Sequence, residues 1–262
     1  EAMNFVYLSP HFPPNYYLFC RSLKRLGVNV LGIGDTPTPY LPSHLSPLLT
    51  DYLSVNMEDY SELFKACGYY AYHYGKIDRI DSLNEYWLIP EAHLRTDFNV
   101  PGIQNDTIMT IKRKSEMKKI FQQAGIPVAQ GKVCHTFKEA EDFVANIGFP
   151  IVVKPDIGVG AANTYRLNTY SELIRFFSHK PHEDYIIEEF IDGTIQAFDG
   201  LTDRSGYPVF YTVHEYSDGV MRIVNENDHM YYFSLRNIPS DLEDYGKRLL
   251  KAFQVKERFF HF

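Results

Sequence analysis

The sequence predicts an α/β unit with a parallel sheet, followed by an α+β region that ends in hairpins. Three observations carry this. Strand, helix and strand alternate from Asn4 to Ile33 at the spacing of a β-α-β unit, which demands parallel pairing. Two capping-box sequences, Thr136-x-x-Glu139 and Thr169-x-x-Glu172, open apolar-faced helices on either side of a β-branched run. From Asp192 onward the punctuation changes to closely spaced turn signals, as hairpins require.

Taken in order, Asn4 to Leu8 reads as the first strand, and the turn-rich Ser9 to Asn15 follows it. Tyr16, Phe19, Cys20, Leu23 and Leu26 fall near a helical period, which Gly27 stops. Asn29 to Ile33 is the second strand, and the proline-rich stretch from Gly34 to Pro47 should be irregular. Tyr52 to Val55 is a short strand. Asp59 can cap a helix carrying Leu63, Phe64, Cys67 and Ala71 that ends near Gly75. Ile77 to Ser82 is a further strand, and Asn84 to Thr96 a helix. These elements place an α/β domain over residues 1–105.

A second region begins with a helix whose apolar face holds Met117, Ile120, Phe121 and Ala124, with Gly125 as its C-cap and Pro127 just beyond. Val128 to Cys134 reads as a strand. The helix after Thr136 carries Ala140, Phe143 and Ile147. The helix after Thr169 carries Leu173, Ile174 and Phe177, and Tyr185 to Ile191 is a strong strand. Turns are expected at Asp192-Gly193, Asp203 to Gly206 and Ser217 to Gly219. Ser240-x-x-Glu243 reads as a third capping box, and Arg258 to Phe262 starts one more strand.

The stretch that points to chemistry runs from Gly148 to Leu167. Ile151, Val152 and Val153 read as a buried strand, Lys154 ends it and Pro155 stops it. The small-residue loop Asp156 to Asn163 follows. A lysine fixed at a strand end, beside a loop rich in exposed backbone N–H groups, suits polyphosphate: the ammonium supplies a point charge and the loop supplies donors. A surface lysine before a hairpin turn would read the same way. The stretch is neither a Walker loop nor a dinucleotide fingerprint, because no Gly-Lys-Ser/Thr and no third glycine follow.

Composition narrows the classes. The net charge of −7 argues against nucleic acid as the main partner, since phosphate backbones demand clustered Lys and Arg. The three cysteines, Cys20, Cys67 and Cys134, are far apart and form no C-x-x-C, which excludes a disulfide framework and fits a reduced, cytoplasmic setting. Cys20 and Cys67 fall on apolar helix faces and are expected to be buried structural thiols. No run approaches the roughly 18 apolar residues that span a membrane.

Four features in order resemble the ATP-grasp superfamily of carboxylate–amine ligases, which includes the carbamoyl-phosphate synthase large chain and D-alanine–D-alanine ligase. Lys114 precedes a helix ending in Ala124-Gly125-Ile126-Pro127-Val128. Pro150-Ile-Val-Val-Lys154-Pro155 precedes a small-residue loop. Ile186-Ile187-Glu188-Glu189-Phe190-Ile191-Asp192-Gly193 is similar to the family's adenine hinge. Ile80 to Gly102 is similar to the end of the domain that precedes it. The resemblance implies a Rossmann-like domain over 1–105, then an ATP-grasp domain of two α+β subdomains, 106–186 and 187–262, the second incomplete.

By the same resemblance, Lys114 and Lys154 would hold the nucleotide phosphates, with Gly158 and Gly160 in the flap over them. Glu188 and Glu189 would face the adenine amino group, and Ile191 would offer its backbone N–H to the ring. The implied activity is ATP-dependent activation of a carboxylate as an acyl phosphate for attack by an amine. A non-catalytic adenine-nucleotide-binding module is the alternative. ATP and Mg²⁺ are the implied cofactors, small carboxylates and amines the implied partners, and a homodimer is allowed.

The chain departs from the pattern at three places. Ala161 stands where many relatives have a flap serine. Thr194-Ile195-Gln196 replaces the segment where many relatives carry a ribose-binding glutamate. No magnesium ligands are recognised before Phe262, so they are expected beyond it, in a domain cut short, and the 262-residue chain is expected to be inactive alone. Asp199, His214 and Glu85 are further candidates to face substrate.

Overall fold

The computed structural model describes residues 2–158, 162–217, 229 and 231–262. The chain divides into two compact units, 1–108 and 109–262. No helix among the described residues is long and apolar enough to cross a membrane.

The first unit is a parallel sheet covered on both faces. Strands β1 (Asn4–Leu8), β2 (Asn29–Gly34), β3 (Asp51–Ser54) and β4 (Arg79–Asp81) lie in the order β3-β2-β1-β4, all parallel. Side chains alternate across the sheet, so Val6 and Leu8 join Leu31, Ile33 and Ile80 beneath helices α2 (Tyr60–Tyr74) and α3 (Leu88–Asp97). Tyr7 and Val30 face the other way, against Cys20 of α1 (Tyr17–Arg25). Asp59 caps α2 through the N–H of Ser61, and Gly75 ends it at φ +87°. The stretch after β2 contains two short 3-10 turns, Thr38–Tyr40 and Ser46–Leu48, each opened by a proline in its first turn.

After α4 (Ile108–Lys112) come α5 (Lys114–Gln123) and a sheet of β5 (Gly131–Val133), β6 (Ile151–Pro155), β7 (Tyr165–Leu167) and β8 (Tyr185–Glu189) in the order β5-β8-β6-β7. Its pairings are antiparallel. One face is packed: Ile151, Val153, Tyr185 and Ile187 meet α6 (Phe137–Ile147) and α7 (Tyr170–His179). The sequence expectation of a strand buried throughout is corrected here. β6 alternates, with Val152 and Lys154 half-buried on the other face, because α6 and α7 cover the sheet on one side only. The strand also continues through Pro155, which pairs with Tyr185 at the last ladder position, where a missing N–H costs little. This sheet extends to Glu189, past the 186/187 boundary expected from the sequence.

A second antiparallel sheet holds β9 (Gln196–Thr202), β10 (Pro208–Tyr216), β11 (Tyr232–Ser234) and β12 (Phe259–His261) in the order β11-β10-β9-β12. Phe198, Val213 and Phe260 pack against α8 (Ser240–Ala252), which is able to approach because Gly246 has no side chain: a Cβ there would lie 2.3 Å from the Phe198 ring. The expected capping box at Ser240 does not form. Pro239 is the N-cap, and Glu243 instead accepts from Tyr211 Oη at 2.6 Å and from Lys247 Nζ at 2.6 Å. The expected turn at Ser217 to Gly219 falls partly outside the described residues. Helices α5 and α8 meet through Phe121 and Phe253, whose rings are 5.7 Å apart, and through Arg248 Nη1, which donates to Ala124 O at 2.9 Å.

Candidate nucleotide site

The site is built on the face of the β5-β8-β6-β7 sheet that α6 and α7 leave open, with α5 along its β5 edge. Antiparallel register puts Val152 opposite Glu188, and Glu188 opposite Gly131. Lys154, two residues beyond Val152, shares their face. Its Nζ lies 2.5 Å from Glu188 Oε2, and Lys118 Nζ from α5 lies 2.7 Å from Glu188 Oε1. Lys118 also donates to Ala129 O at 2.8 Å. Glu188 is nearly buried at 7% side-chain exposure, so its charge is compensated by two ammoniums rather than by water. Gly131 makes room for this trio, since a Cβ there would stand 3.0 Å from Glu188 Cγ and 3.1 Å from Lys118 Cε.

Lys114 reaches the same strand by another route. It is the first residue of α5, and its Nζ donates to Pro155 O at 2.9 Å. A Cβ on Gly158 would lie 3.9 Å from that Nζ, which places the ammonium at the base of the loop. Gly160 lies outside the described residues, as does Ala161.

Helix α5 begins without a capping side chain of its own, because its N-cap is Arg113. The acceptor comes from the far end of β6. Asp156, fully buried, takes the N–H of Ser115 on Oδ1 at 2.8 Å, and the Ser115 hydroxyl on Oδ2 at 2.9 Å. Arg113 Nη1 donates to the same Oδ2 at 3.1 Å and to Asp184 at 3.2 Å. The backbone closes the junction: Lys114 N–H donates to Asp156 O at 2.9 Å. Sequence reasoning missed Asp156, Ser115 and Lys118. The available signal was the helix start Arg113-Lys114-Ser115, which lacks a cap residue and so needs an acceptor from elsewhere.

The structure separates the two hinge glutamates. Glu188 faces the lysines, whereas Glu189, one residue on, points across the sheet and accepts the Gln130 N–H at 2.8 Å on Oε1. Ile191 lies past the end of the β8 ladder and is 62% exposed.

Asp199 and His214 do come together, on the face of the second sheet away from α8. His214 Nδ1 lies 2.6 Å from Asp199 Oδ2, and His261 Nδ1 contacts Oδ1. Burial opposes the charge on Asp199, but the bonds from His261 and His214 outweigh it and hold its carboxyl below the usual range. Glu85 opens a 3-10 turn in the first unit. Among the described residues no group of three or more His, Cys, Asp or Glu is placed to hold a metal ion. All three thiols are buried, and burial pushes Cys20 and Cys67 up to about 12 and Cys134 up to about 11, which disfavours the thiolate.

Residues 113–194 match a family model described as carbamoyl-phosphate synthase L chain, ATP binding domain. The carbamoyl phosphate synthase large chain of Thermoanaerobacter sp. (strain X514) is 23% identical over 181 residues, covering 64% of this chain and 16% of that one. Among solved structures, the L-amino acid ligase from Bacillus licheniformis superposes with a TM-score of 0.74 at 18% identity, over 99% of this chain and 62% of that one. The N5-carboxyaminoimidazole synthetase from Staphylococcus aureus, complexed with ADP, gives 0.73 at 12% identity, over 95% of this chain and 63% of that one. The chain thus spans about 16% of its curated relative. These likenesses bear out the resemblance drawn from the motifs and show the fold.

Proposed function

We propose, from the ATP-grasp fold of this chain, that residues 109–262 bind an adenine nucleotide and serve an ATP-dependent ligase that joins a small carboxylate to an amine. The observation that carries the reading is the placement of Lys154, Glu188 and Lys118 on one open sheet face, with Lys114 at the end of the same strand. Three ammoniums and one carboxylate leave a formal charge of +2 there, facing a ligand that is a polyanion.

In this reading Lys114 and Lys154 offset the charge of the phosphates during transfer to the carboxylate, which is positioning and electrostatics more than covalent chemistry. The resulting acyl phosphate is attacked by the amine nitrogen; the C–N bond forms, the amine proton is lost and phosphate leaves. Gly158 and Gly160 belong to the loop over the phosphates. Glu188 keeps lone pairs beside those used by the lysines and can accept from the adenine amino group. Glu189 contributes through its backbone at the hinge, and Ile191 offers its N–H to the ring edge.

Mg²⁺ is the metal such chemistry employs; among the described residues no group of three or more His, Cys, Asp or Glu is placed to hold a metal ion, and no step is assigned to it. A cytoplasmic setting and a homodimer remain part of the proposal.

Calorimetry of the 262-residue chain with ATP and ADP, with and without magnesium, tests the nucleotide reading. Binding that is lost in Lys154→Ala is the expected result. No heat of binding up to about millimolar nucleotide, an affinity near 4 kcal/mol, would overturn it.

A further inference from the structure

Lys114 and Lys154 come from different elements, the start of α5 and the end of β6. A lysine has a flexible stem and three donors but no fixed fork, so two lysines clamp a polyphosphate only if their backbones are held at a set distance. Packing does not supply that. α5 has no fully buried residue and contacts the sheet chiefly along β5, not β6.

One residue supplies it. Asp156 is two residues after Lys154 and is fully buried. Its carboxylate takes three donors from the first turn of α5 and its N-cap: Ser115 N–H, Ser115 Oγ and Arg113 Nη1. Its carbonyl takes a fourth, the Lys114 N–H itself. Its own N–H is anchored to Asp184 O at 2.9 Å, which ties it to the segment entering β8. Arg113 and Ile157 form a bridge beside it. The N-terminus of α5 is thereby fastened to the end of β6 chiefly through one residue, by its carboxylate and its carbonyl. An anionic acceptor suits that position, because a helix N-terminus presents unpaired N–H groups and a partial positive charge.

We infer that Asp156 is the positioning residue that fixes Lys114 relative to Lys154, and so sets the affinity of the site for nucleotide phosphates. The inference rests on the nucleotide reading above. Asp156 itself touches no ligand and acts through Lys114. Asp156→Asn isolates the role. The amide keeps the size of the side chain and one acceptor for Ser115 N–H, but its NH₂ group faces Arg113 Nη1, so donor meets donor where the carboxylate accepted, and the Ser115 hydroxyl must turn from donor to acceptor.

The test is a double-mutant cycle on the 262-residue chain, with ATP titrated calorimetrically into the unmodified chain, Asp156→Asn, Lys114→Ala and the double variant. Where heats are too small, the rise in unfolding temperature at millimolar ATP replaces them. Circular dichroism checks that each variant is folded. Asp156→Asn is expected to weaken ATP binding by about tenfold, the lower end of what supporting partners contribute around bound ions. In the Lys114→Ala background the same change should cost less than about twofold, because its target is gone.

Equal losses in both backgrounds would show that Asp156 does not act through Lys114 and would overturn the inference. So would an unchanged affinity in folded Asp156→Asn. If Asp156→Asn does not fold, Ser115→Ala removes one of the four bonds and enters the same cycle, where a loss of about threefold that vanishes without Lys114 is expected. Absence of ATP binding by the unmodified chain is seen before any variant is compared; it would refute the nucleotide reading and the inference with it.

Discussion

Replacing Glu188 by glutamine should destabilise the second unit strongly while leaving its shape intact. The side chain is 7% exposed and bridges Lys118 and Lys154, which are themselves 16% and 26% exposed. Removing one partner of a fully buried pair costs about 3–5 kcal/mol, chiefly because a charge is left uncompensated. Here the stranded lysines retain some water, and Lys118 keeps its bond to Ala129 O, so the cost is nearer 2–3 kcal/mol. For a unit of this size each kcal/mol shifts the midpoint by about 2–4 °C, giving a fall of about 4–12 °C in thermal unfolding followed by circular dichroism. Glutamine keeps the volume beside Gly131, so the loss reports charge rather than a cavity. A midpoint within 1 °C of the unmodified chain would refute the claim that Glu188 is the hub of this face.

Gly246→Ala gains roughly 1 kcal/mol of helix propensity but drives a methyl to 2.3 Å from the Phe198 ring, so a net loss of about 1–3 kcal/mol is expected in urea unfolding; a stabilised variant would mean that α8 does not sit there. Asp199→Asn should cost about 1–2 kcal/mol at pH 7. Because the folded carboxyl lies below its unfolded value near 3.9, that contribution is complete above the unfolded value and is lost as pH falls through the folded one, so the gap between variant and parent should close as the medium is acidified below the unfolded value. The native chain should react slowly with a thiol reagent at pH 8 and release three equivalents only in denaturant, since Cys20, Cys67 and Cys134 are all buried; rapid labelling of any one would contradict its placement.

The elements that were legible in the sequence are those set by local rules. Thr136 and Glu139 form both bonds of their capping box, Asp59 caps α2, and the β-α-β spacing gives a parallel sheet. At Ser240 the same local pattern failed, because Tyr211 from across the fold and Lys247 one turn along the helix compete for Glu243. The lysines and the hinge were legible as motifs, but their connection was not. Nothing local to Asp156 reveals that it caps a helix that begins 42 residues earlier, at Lys114. Gly131 and Gly246 are likewise explained only by what approaches them, Glu188 and Lys118 in one case and Phe198 in the other. The half-buried Val152 was misread for a related reason: a run of β-branched residues reports strand, but not whether one or both faces are covered.

A crystal structure of the chain with ADP tests the central claim most directly. The expected result is density for the nucleotide on the open face of the β5-β8-β6-β7 sheet, with phosphate oxygens within hydrogen-bond distance of Lys114 Nζ and Lys154 Nζ and the adenine edge against Glu188 to Ile191. Nucleotide seated elsewhere, or bound with neither lysine within hydrogen-bond distance of a phosphate oxygen, would contradict the account.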